Sequence, residues 1–424
     1  MHWNRQYAIR SYLSSALWTV PLIAVVAENV AVRIVFRHPA WFDWLPALGT
    51  SAAGTAEALN TVETLSGSFI VFTFGSILIA IQVASGQLTP RIIATTLLRN
   101  DVIRWTVGLF AFTMLFAVGA GARLDASTTH PAITIAWALG VASVAAFLFL
   151  IDYTARLLRP ITIVWRVGEQ GIKVIGEVYP ESTEAPHAPS TRIAPGPVVR
   201  AVAHKGTSGI VLAANQKALV AMARRAGGII EFVPRVGDFV AVGEPLFRLH
   251  DAAARIDDAA LRAQVAFGRE RTIEQDSTFA FRVIVDVAIK ALSPAINDPT
   301  TAVLAIDQLH RLLRLVGLRH LHDEGLYDAG GTLQVIFPTP DWEDFVHLAI
   351  SEIRLYGAGN FQVSRRLRAM IDNLLASLPE KRRPALRREL DLLSRALERL
   401  HAFPEDVALA AAPDYQGLGG SSSR

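Results

Sequence analysis

The sequence contains no cysteine. A disulfide-stabilised scaffold, cysteine-ligated zinc, an iron–sulfur cluster and a thiol nucleophile are therefore excluded. Charged residues are also scarce, because they make up 19% of the chain against about 25% in soluble domains. The net charge is only +3, which is too small to indicate a nucleic-acid partner.

The signatures of common enzymes and of ATP-driven transporters are missing as well. The sequence has no GxxxxGK[ST] phosphate loop, no GxGxxG after a strand, no GxSxG elbow and no HExxH motif. His320, His322 and Asp323 lie close in sequence, but they lack the i, i+4 histidine pair that places two metal ligands on one helix face. We therefore expect no enzymatic activity, no cofactor and no metal site.

The few charges divide the chain into two parts. Residues 1–151 contain 14 charged residues, and residues 152–424 contain 65. The first part includes uncharged stretches of 17, 27, 18 and 26 residues. A helix needs about 20 predominantly apolar residues to cross a bilayer. The pattern predicts four transmembrane helices, near 13–36, 66–86, 103–122 and 131–151.

The first predicted helix has an alternative interpretation as a cleaved signal peptide. Arg5 and Arg10 precede an apolar core that ends in small residues at Ala27. The apolar pattern continues past that point through Ile34 and Phe36, which favours a retained helix.

The arginines indicate how the helices are oriented. Eight arginines lie before the first helix, between the second and third helices, and after the fourth. The two other loops offer only Arg37 and Arg123. Because loops rich in lysine and arginine stay in the cytoplasm, we expect a multi-pass protein with cytoplasmic N- and C-termini.

Small and polar residues form a stripe on the second predicted helix. Ser68, Gly75, Gln82 and Gly86 fall within about 40° of one another at roughly 100° per residue. The stripe would line an aqueous path if several subunits assembled around it. The alternative is close helix packing through small residues, with Gln82 in an interhelical hydrogen bond. Four short helices bury little surface alone, so we expect a homo-oligomer in the lipid bilayer.

The remainder of the chain predicts an α+β region on the cytoplasmic side. Strands near 198–203, 209–212, 228–233 and 244–249, with a helix at 216–225, indicate a small β-barrel or sandwich-like module. Its run GGIIEFVPRVGDFVAVGEPLFRL is similar to hairpins of biotinyl and lipoyl domains, but no lysine lies between Lys217 and Lys290 to act as a carrier. Apolar residues at helical spacing then predict a helical domain.

These observations give a fold class and a division of the chain. The protein is predicted to be an α-helical integral membrane protein with four transmembrane helices and a cytoplasmic α+β region. The predicted parts are a four-helix transmembrane domain (1–160), a proline-rich connector (161–197), a small β-rich module (198–250), a helical cytoplasmic domain (251–410) and a disordered tail (411–424).

A charge-dense block near the start of the helical domain is the candidate cytoplasmic interface or ligand site. Its members are Arg269, Glu270, Arg271, Asp276, Arg282, Asp286, Asn297 and Asp298. The alternative is a salt-bridged helix surface, in which Asp298 caps the helix that begins at Pro299.

Several of these segments carry a resemblance to a known family. They are IQVASGQLTPR, PRVGDFVAVGEPL, RERTIEQDSTFAFRVIVDVAIKALSPAINDPTTA and FPTPDWEDFVHLAISEIRLYGAGN. The chain resembles the bacterial predicted membrane proteins catalogued as domain of unknown function 2254. The resemblance implies a bacterial inner-membrane protein with four N-terminal helices and a cytoplasmic C-terminal region. It supplies no activity and no catalytic residue.

Two functional hypotheses follow from the sequence. The first is a homo-oligomeric channel-like or passive transport protein, in which the stripe lines the path and the cytoplasmic region forms a vestibule or gate for an ion or small molecule. The second is a non-conducting membrane sensor or scaffold whose cytoplasmic region binds a partner or small ligand.

Overall fold

The structure, a computed structural model, describes residues 3–45, 52–87, 100–123, 131–157, 159–183, 195–321 and 325–419. The side chains of 14–15, 52–53 and 83–87 are outside this description. The chain forms two compact units. The helical unit comprises the described residues of Tyr12–Gly86 and Pro90–Thr162, and the α/β unit comprises those of Met1–Ser11, Gln87–Thr89 and Ile163–Arg424.

Within the described ranges, four helices are long and apolar enough to cross a membrane, which confirms the four predicted spans. They are α2 (Thr19–Arg37), α3 (Ala52–Gln87), α4 (Asp101–Gly121) and α5 (Pro131–Leu157), and a further helix α1 (Trp3–Ser15) precedes them.

The bounds of two predicted spans differ from the observed helices. The predicted helix at 13–36 is interrupted after Ser15, because Pro21 in the first turn of α2 lacks an N–H and its ring opposes a helical turn before it. Helix α3 begins at Ala52 rather than near 66. Glu57 and Glu63 interrupt the uncharged run of the sequence, but they do not end the helix. A charged residue limits which segment can lie inside a membrane, and it does not prevent a helix from forming.

Close packing holds α3 against α5. Phe69 stacks on Phe147 with ring centroids 4.1 Å apart. Gly140 lies so close to Val62 that a Cβ at the glycine would stand 2.8 Å from Cγ2 of the valine. Small residues at such crossings let two helix backbones approach.

Part of the predicted connector is a helix. Helix α6 (Pro160–Val178) buries Val167, Gly171 and Ile175. The proline-rich stretch after it falls largely on residues 184–194, which lie outside the described ranges.

The β-module contains the strands predicted for it. Strands β1 to β5 are Val198–Ala203, Gly209–Ala214, Ile230–Phe232, Phe239–Val240 and Pro245–His250, with helix α7 (Gln216–Ala226) after β2. Helix α7 ends at Gly227, whose φ of +72° is the left-handed conformation that a C-terminal cap requires.

Three further strands lie in the region that was predicted to be helical. Strands β6 to β8 are Val265–Gly268, Gly325–Tyr327 and Leu333–Ile336, and a short helix α8 (Asp258–Arg262) precedes β6. The described strands form one sheet of order β1-β5-β3-β8-β7 and one of order β4-β2-β6. Strands of three or four residues are too short to show a two-residue alternation, so the sequence pattern missed them.

Six further helices lie in the described part of the α/β unit. They are α9 (Ser277–Ala291), α10 (Pro299–Gly317), α11 (Trp342–Gly357), α12 (Phe361–Ser377), α13 (Arg383–Leu400) and α14 (Pro404–Ala411). Helix α9 packs against α10 and α11, and α12 packs against α10, α13 and α14. The apolar faces meet in a core that includes fully buried Phe281, Leu309 and Phe345.

The chain after α14 is packed as far as Gly419, although its composition predicted disorder. The carboxylate of buried Asp414 accepts hydrogen bonds from the amides of Gln416, Gly417 and Gly419 at 3.0, 3.0 and 2.7 Å. Buried Arg365 of α12 donates to the carbonyls of Ala412 and Gly419 at 3.1 and 2.9 Å. Long-range hydrogen bonds of this kind leave no trace in composition.

Candidate ligand cavity

A cavity of about 210 Å³ lies inside the α/β unit. Four separate segments supply most of its wall: the end of α6 (177–179), the start of α7 at Gln216, the segment before α9 (274–277) and the chain after β8 (337–340). Because these segments are far apart in sequence, only the folded α/β unit creates this space.

Negative charge dominates the cavity wall. Glu177, Glu274 and Asp276 line the cavity, and no lysine or arginine is among its described lining residues. Arg271 lies behind the wall, where its Nε is 3.1 Å from Oδ2 of Asp276. Lys173, one turn before Glu177 on α6, lies with its Nζ 3.9 Å from Oε1 of that glutamate. Three carboxylates of the wall thus have two cations beside them, Arg271 and Lys173.

Asp276 is held in place by the helix that it caps. Its Oδ1 accepts hydrogen bonds from the amide of Phe279 at 3.0 Å and the hydroxyl of Thr278 at 2.6 Å, which makes Asp276 the N-cap of α9. The residue is only 4% exposed. Burial raises the pKa of this carboxyl above its ordinary value, although Arg271 and the hydrogen bonds from Thr278 and Phe279 act in the opposite direction.

A glycine of the β3–β4 turn makes room for this ion pair. Gly237, in the sequence PRVGD, has a φ of +96°. A Cβ at this position would overlap both the Arg271 guanidinium and the Asp276 carboxylate. The turn therefore closes over the pair because it carries no side chain there.

Tyr179 contributes a neutral phenol to the same wall. Its side chain is fully buried, and its ring meets Phe345 edge to face with centroids 6.2 Å apart. Burial raises the pKa of Tyr179 to about 12; a hydrogen bond with Ser277 lowers it, and the nearby Asp276 charge adds to the rise. The phenol thus remains protonated at neutral pH.

Glu274 joins the cavity to the N-terminus of the chain. The hydroxyl of Tyr7 donates a hydrogen bond to Oε2 of Glu274. The hydroxyl of Ser11 donates to Oε1 at 3.4 Å. The start of α1 therefore contacts a residue of the cavity wall.

The structure separates the members of the predicted charged block. Arg271 and Asp276 meet at the cavity. Arg282 lies elsewhere on α9, where its Nε donates to Asp286 at 2.7 Å and its Nη2 donates to Glu352 of α11 at 3.1 Å.

The remaining members have other places. Arg269 and Glu270 are exposed after β6. Asn297 turns the chain before α10 with a φ of +49°, and Asp298 caps α10 by accepting from the amide of Thr301 at 3.1 Å. The cavity residues Tyr179 and Gln216, and Gly237 beside Asp276, were not singled out from the sequence. The glycine in PRVGD is the one signal there that points to a tight turn.

The described part of the predicted stripe on α3 is not covered by any other helix that the structure describes. Ser68 and Gln82 are exposed, and a Cβ at Gly75 would meet nothing within 4 Å. The hydroxyl of Ser68 donates to the carbonyl of Thr64 in its own helix at 2.7 Å. Gly86 lies at the end of α3 that is described by its backbone alone.

Comparisons with known proteins agree with the membrane helices. The profile of the family described as "Predicted membrane protein (DUF2254)" matches residues 14–373. The chain is similar to uncharacterized proteins of Mycobacterium tuberculosis and Mycobacterium bovis, with 28% identity in each case over 96% of this chain and 81% of the relative. No solved structure gives a significant match.

Proposed function

Because this chain belongs to the DUF2254 family of predicted membrane proteins, we propose that it is a membrane sensor whose α/β unit binds a small, positively charged ligand. The observation that carries the proposal is the cavity lined by Glu177, Glu274 and Asp276. Of the two hypotheses that the sequence raised, the sensor has this specific site in its favour.

The charge of the wall favours a cationic ligand. Carboxylates in a partly enclosed space attract cations more strongly than they do in bulk water, because the surrounding protein screens them less. The cavity of about 210 Å³ is smaller than the roughly 300–1,000 Å³ typical of sites for drug-sized molecules. An organic ammonium ion of a few heavy atoms fits both the charge and the size.

An organic cation fits this site better than a metal ion does. Among the residues that the structure describes, no three histidine, aspartate or glutamate side chains are grouped as metal ligands would be. The other polar groups of the wall are amides and hydroxyls, such as those of Gln216, Ser277 and Thr339. These groups accept hydrogen bonds from an N–H donor.

We place the α/β unit and both chain termini on the cytoplasmic side of the bacterial inner membrane. The arginines flanking the spans support this orientation. The grouping of residues up to Ser11 with residues from Ile163 onward in one unit also agrees with an even number of spans between them.

Thermal unfolding of the full-length protein in detergent tests the sensor. A graded series of alkylammonium and diammonium salts is compared with the corresponding neutral alcohols at constant ionic strength. A ligand that binds only the folded state raises the unfolding temperature. We expect a cation of the series to do so in the wild type and to lose this effect in Glu177→Gln and Glu274→Gln. Equal shifts for cations and alcohols, or no shift at all, would contradict the proposal.

A second candidate is the homo-oligomeric channel-like or passive transport protein, with the α/β unit as a vestibule or gate. Ser68, Gly75 and Gln82 favour it, because a path shared between subunits needs polar groups that the subunit itself leaves uncovered, and no described helix of this chain covers these three residues. The test is the native mass in detergent, followed by ion flux in vesicles with Gln82→Leu. A monomer, or an unchanged flux in the variant, would rule out α3 as the conducting element.

A further inference from the structure

The first residues of the chain dock on the α/β unit through a small set of polar contacts. The amide of Asn4 donates to the carbonyl of Ala263 at 3.2 Å. Tyr7 and Ser11, one and two turns further along α1, donate to the two different oxygens of Glu274. The carboxylate of Glu274 thus accepts hydrogen bonds from two residues of α1.

That same carboxylate lines the cavity. Tyr7 donates to Oε2 and Ser11 donates to Oε1, so each oxygen of Glu274 accepts a hydrogen bond from α1. A cation in the cavity attracts the carboxylate and draws its lone pairs away from the two hydroxyls. The ligand and α1 thus compete for Glu274.

Helix α1 leads directly to the membrane. It ends at Ser15, and α2, the first candidate membrane span, begins at Thr19. Three residues are too few to absorb a large movement, so a change in the docking of α1 reaches the start of α2.

We propose that α1 is a latch that the ligand releases: with the cavity empty, Tyr7 and Ser11 hold α1 on Glu274, and an organic cation in the cavity frees it. This inference rests on the proposed ligand site. It adds the route by which occupancy of that site reaches the membrane helices. Competition of this kind is reciprocal: docked α1 weakens cation binding by the same factor by which the bound cation weakens docking. Weakening the latch must therefore strengthen cation binding.

The experiment uses the absence of native cysteine. Thr339→Cys places a single thiol in the cavity wall of the full-length protein. A trimethylammonium-bearing methanethiosulfonate is the cationic probe, and its rate of thiol modification reports cation entry. Trypsin cleavage after the exposed Arg10 reports release of α1, since proteases cut helices that undock and unfold locally.

Tyr7→Phe is compared with Tyr356→Phe, a tyrosine of α11 that is 63% exposed. We expect Tyr7→Phe to speed both cleavage after Arg10 and cationic labelling of Thr339→Cys by at least about five-fold, the low end of ordinary coupling between sites. Tyr356→Phe should change neither rate. Labelling that stays constant or slows in Tyr7→Phe overturns the latch, even where cleavage becomes faster.

The latch and the ligand site fail in different ways. If the cationic probe modifies the thiol of Thr339→Cys no faster than an anionic probe does, the proposed ligand site itself is wrong. If the cationic probe does react faster, but Tyr7→Phe changes neither the labelling rate nor the rate of cleavage after Arg10, the ligand site is supported and the latch is wrong. Unfolding temperatures of all variants show whether each of them is folded.

Discussion

The backbone of Gly237 lies against the carboxylate of Asp276, closer than a side chain at position 237 would permit. Gly237 belongs to a turn of the β-module, whereas Asp276 begins helix α9. The contact therefore joins the two parts of the α/β unit at the cavity. It also explains why the turn carries glycine, since its φ of +96° and the lack of space both disfavour a side chain.

Gly237→Ala should destabilise the protein clearly more than Gly243→Ala. Both glycines have positive φ, of +96° and +91°, so each substitution introduces backbone strain of about 1–3 kcal/mol. Only at Gly237 does the new Cβ also overlap neighbours, because Gly243 has nothing within 4 Å. Unfolding temperatures in detergent measure the difference. Equal losses in the two variants would show that the turn does not close over the Arg271–Asp276 pair.

Asp276→Asn should alter how stability depends on pH. The folded state raises the pKa of Asp276 above its ordinary value, so it binds this proton more tightly than the unfolded state does. Asp276 therefore favours folding at low pH. This contribution is lost as the pH rises from the ordinary pKa of an aspartate through the raised pKa of the folded state. The asparagine keeps the cap and does not titrate.

The unfolding temperature of Asp276→Asn, relative to wild type, is thus expected to increase with pH over this window. Melting curves from pH 4 to pH 7.5 test the sign. A relative temperature that decreases instead would mean that attraction to Arg271 outweighs the burial of the charge.

Asp414→Asn should show the opposite pH dependence. Burial raises the pKa of Asp414, but hydrogen bonds from the amides of Gly419, Gly417 and Gln416 outweigh burial and hold the pKa below its ordinary value. The charged Asp414 stabilises the folded state fully at a pH above the ordinary pKa of an aspartate. This stabilisation is lost as the pH falls through the lowered pKa of the folded state. We expect a loss of about 1.5–3 kcal/mol at neutral pH, as for hydrogen bonds to charged groups, and a smaller loss in acid.

Asp391→Asn is the control for Asp414→Asn. Asp391 pairs with Arg395 on the surface of α13 and is 65% exposed. Surface pairs contribute little, so its replacement should leave the unfolding temperature nearly unchanged. A loss at Asp391 equal to that at Asp414 would contradict a packed C-terminal segment.

Gly140→Ala should weaken the packing of α3 against α5. The new methyl group would stand 2.8 Å from Cγ2 of Val62, and a β-branched side chain in a helix has little freedom to move aside. Overpacking of this kind destabilises by about 1–3 kcal/mol. Gly75→Ala, where the space is open, should be neutral in the monomer. Equal tolerance of both substitutions would argue against the α3–α5 contact.

The membrane helices were predictable because they depend on a local property. A run without charge, such as the one between Arg104 and Arg123, identifies a span by itself. The strands of the β-module were predictable for a similar reason, since Gly227 and Gly243 mark turns between short apolar runs. Strand β8 was missed because its place is set by pairing with β3, about a hundred residues away.

The candidate site was only partly predictable. Charge density drew attention to Arg271 and Asp276, and they do meet at the cavity. The same density included Arg282, which forms its ion pairs elsewhere with Asp286 and Glu352. Spacing along a chain does not reveal which charges converge, because convergence depends on the packing of distant segments such as the end of α6.

The central claim, that the cavity of the α/β unit favours small cations, is tested most directly at Thr339→Cys. Two methanethiosulfonates of similar size, one trimethylammonium and one sulfonate, modify this single thiol in the folded protein and in denaturant. We predict a cation-to-anion rate ratio several-fold higher in the folded state, reduced in Glu274→Gln. A ratio that is the same in both states would contradict the claim.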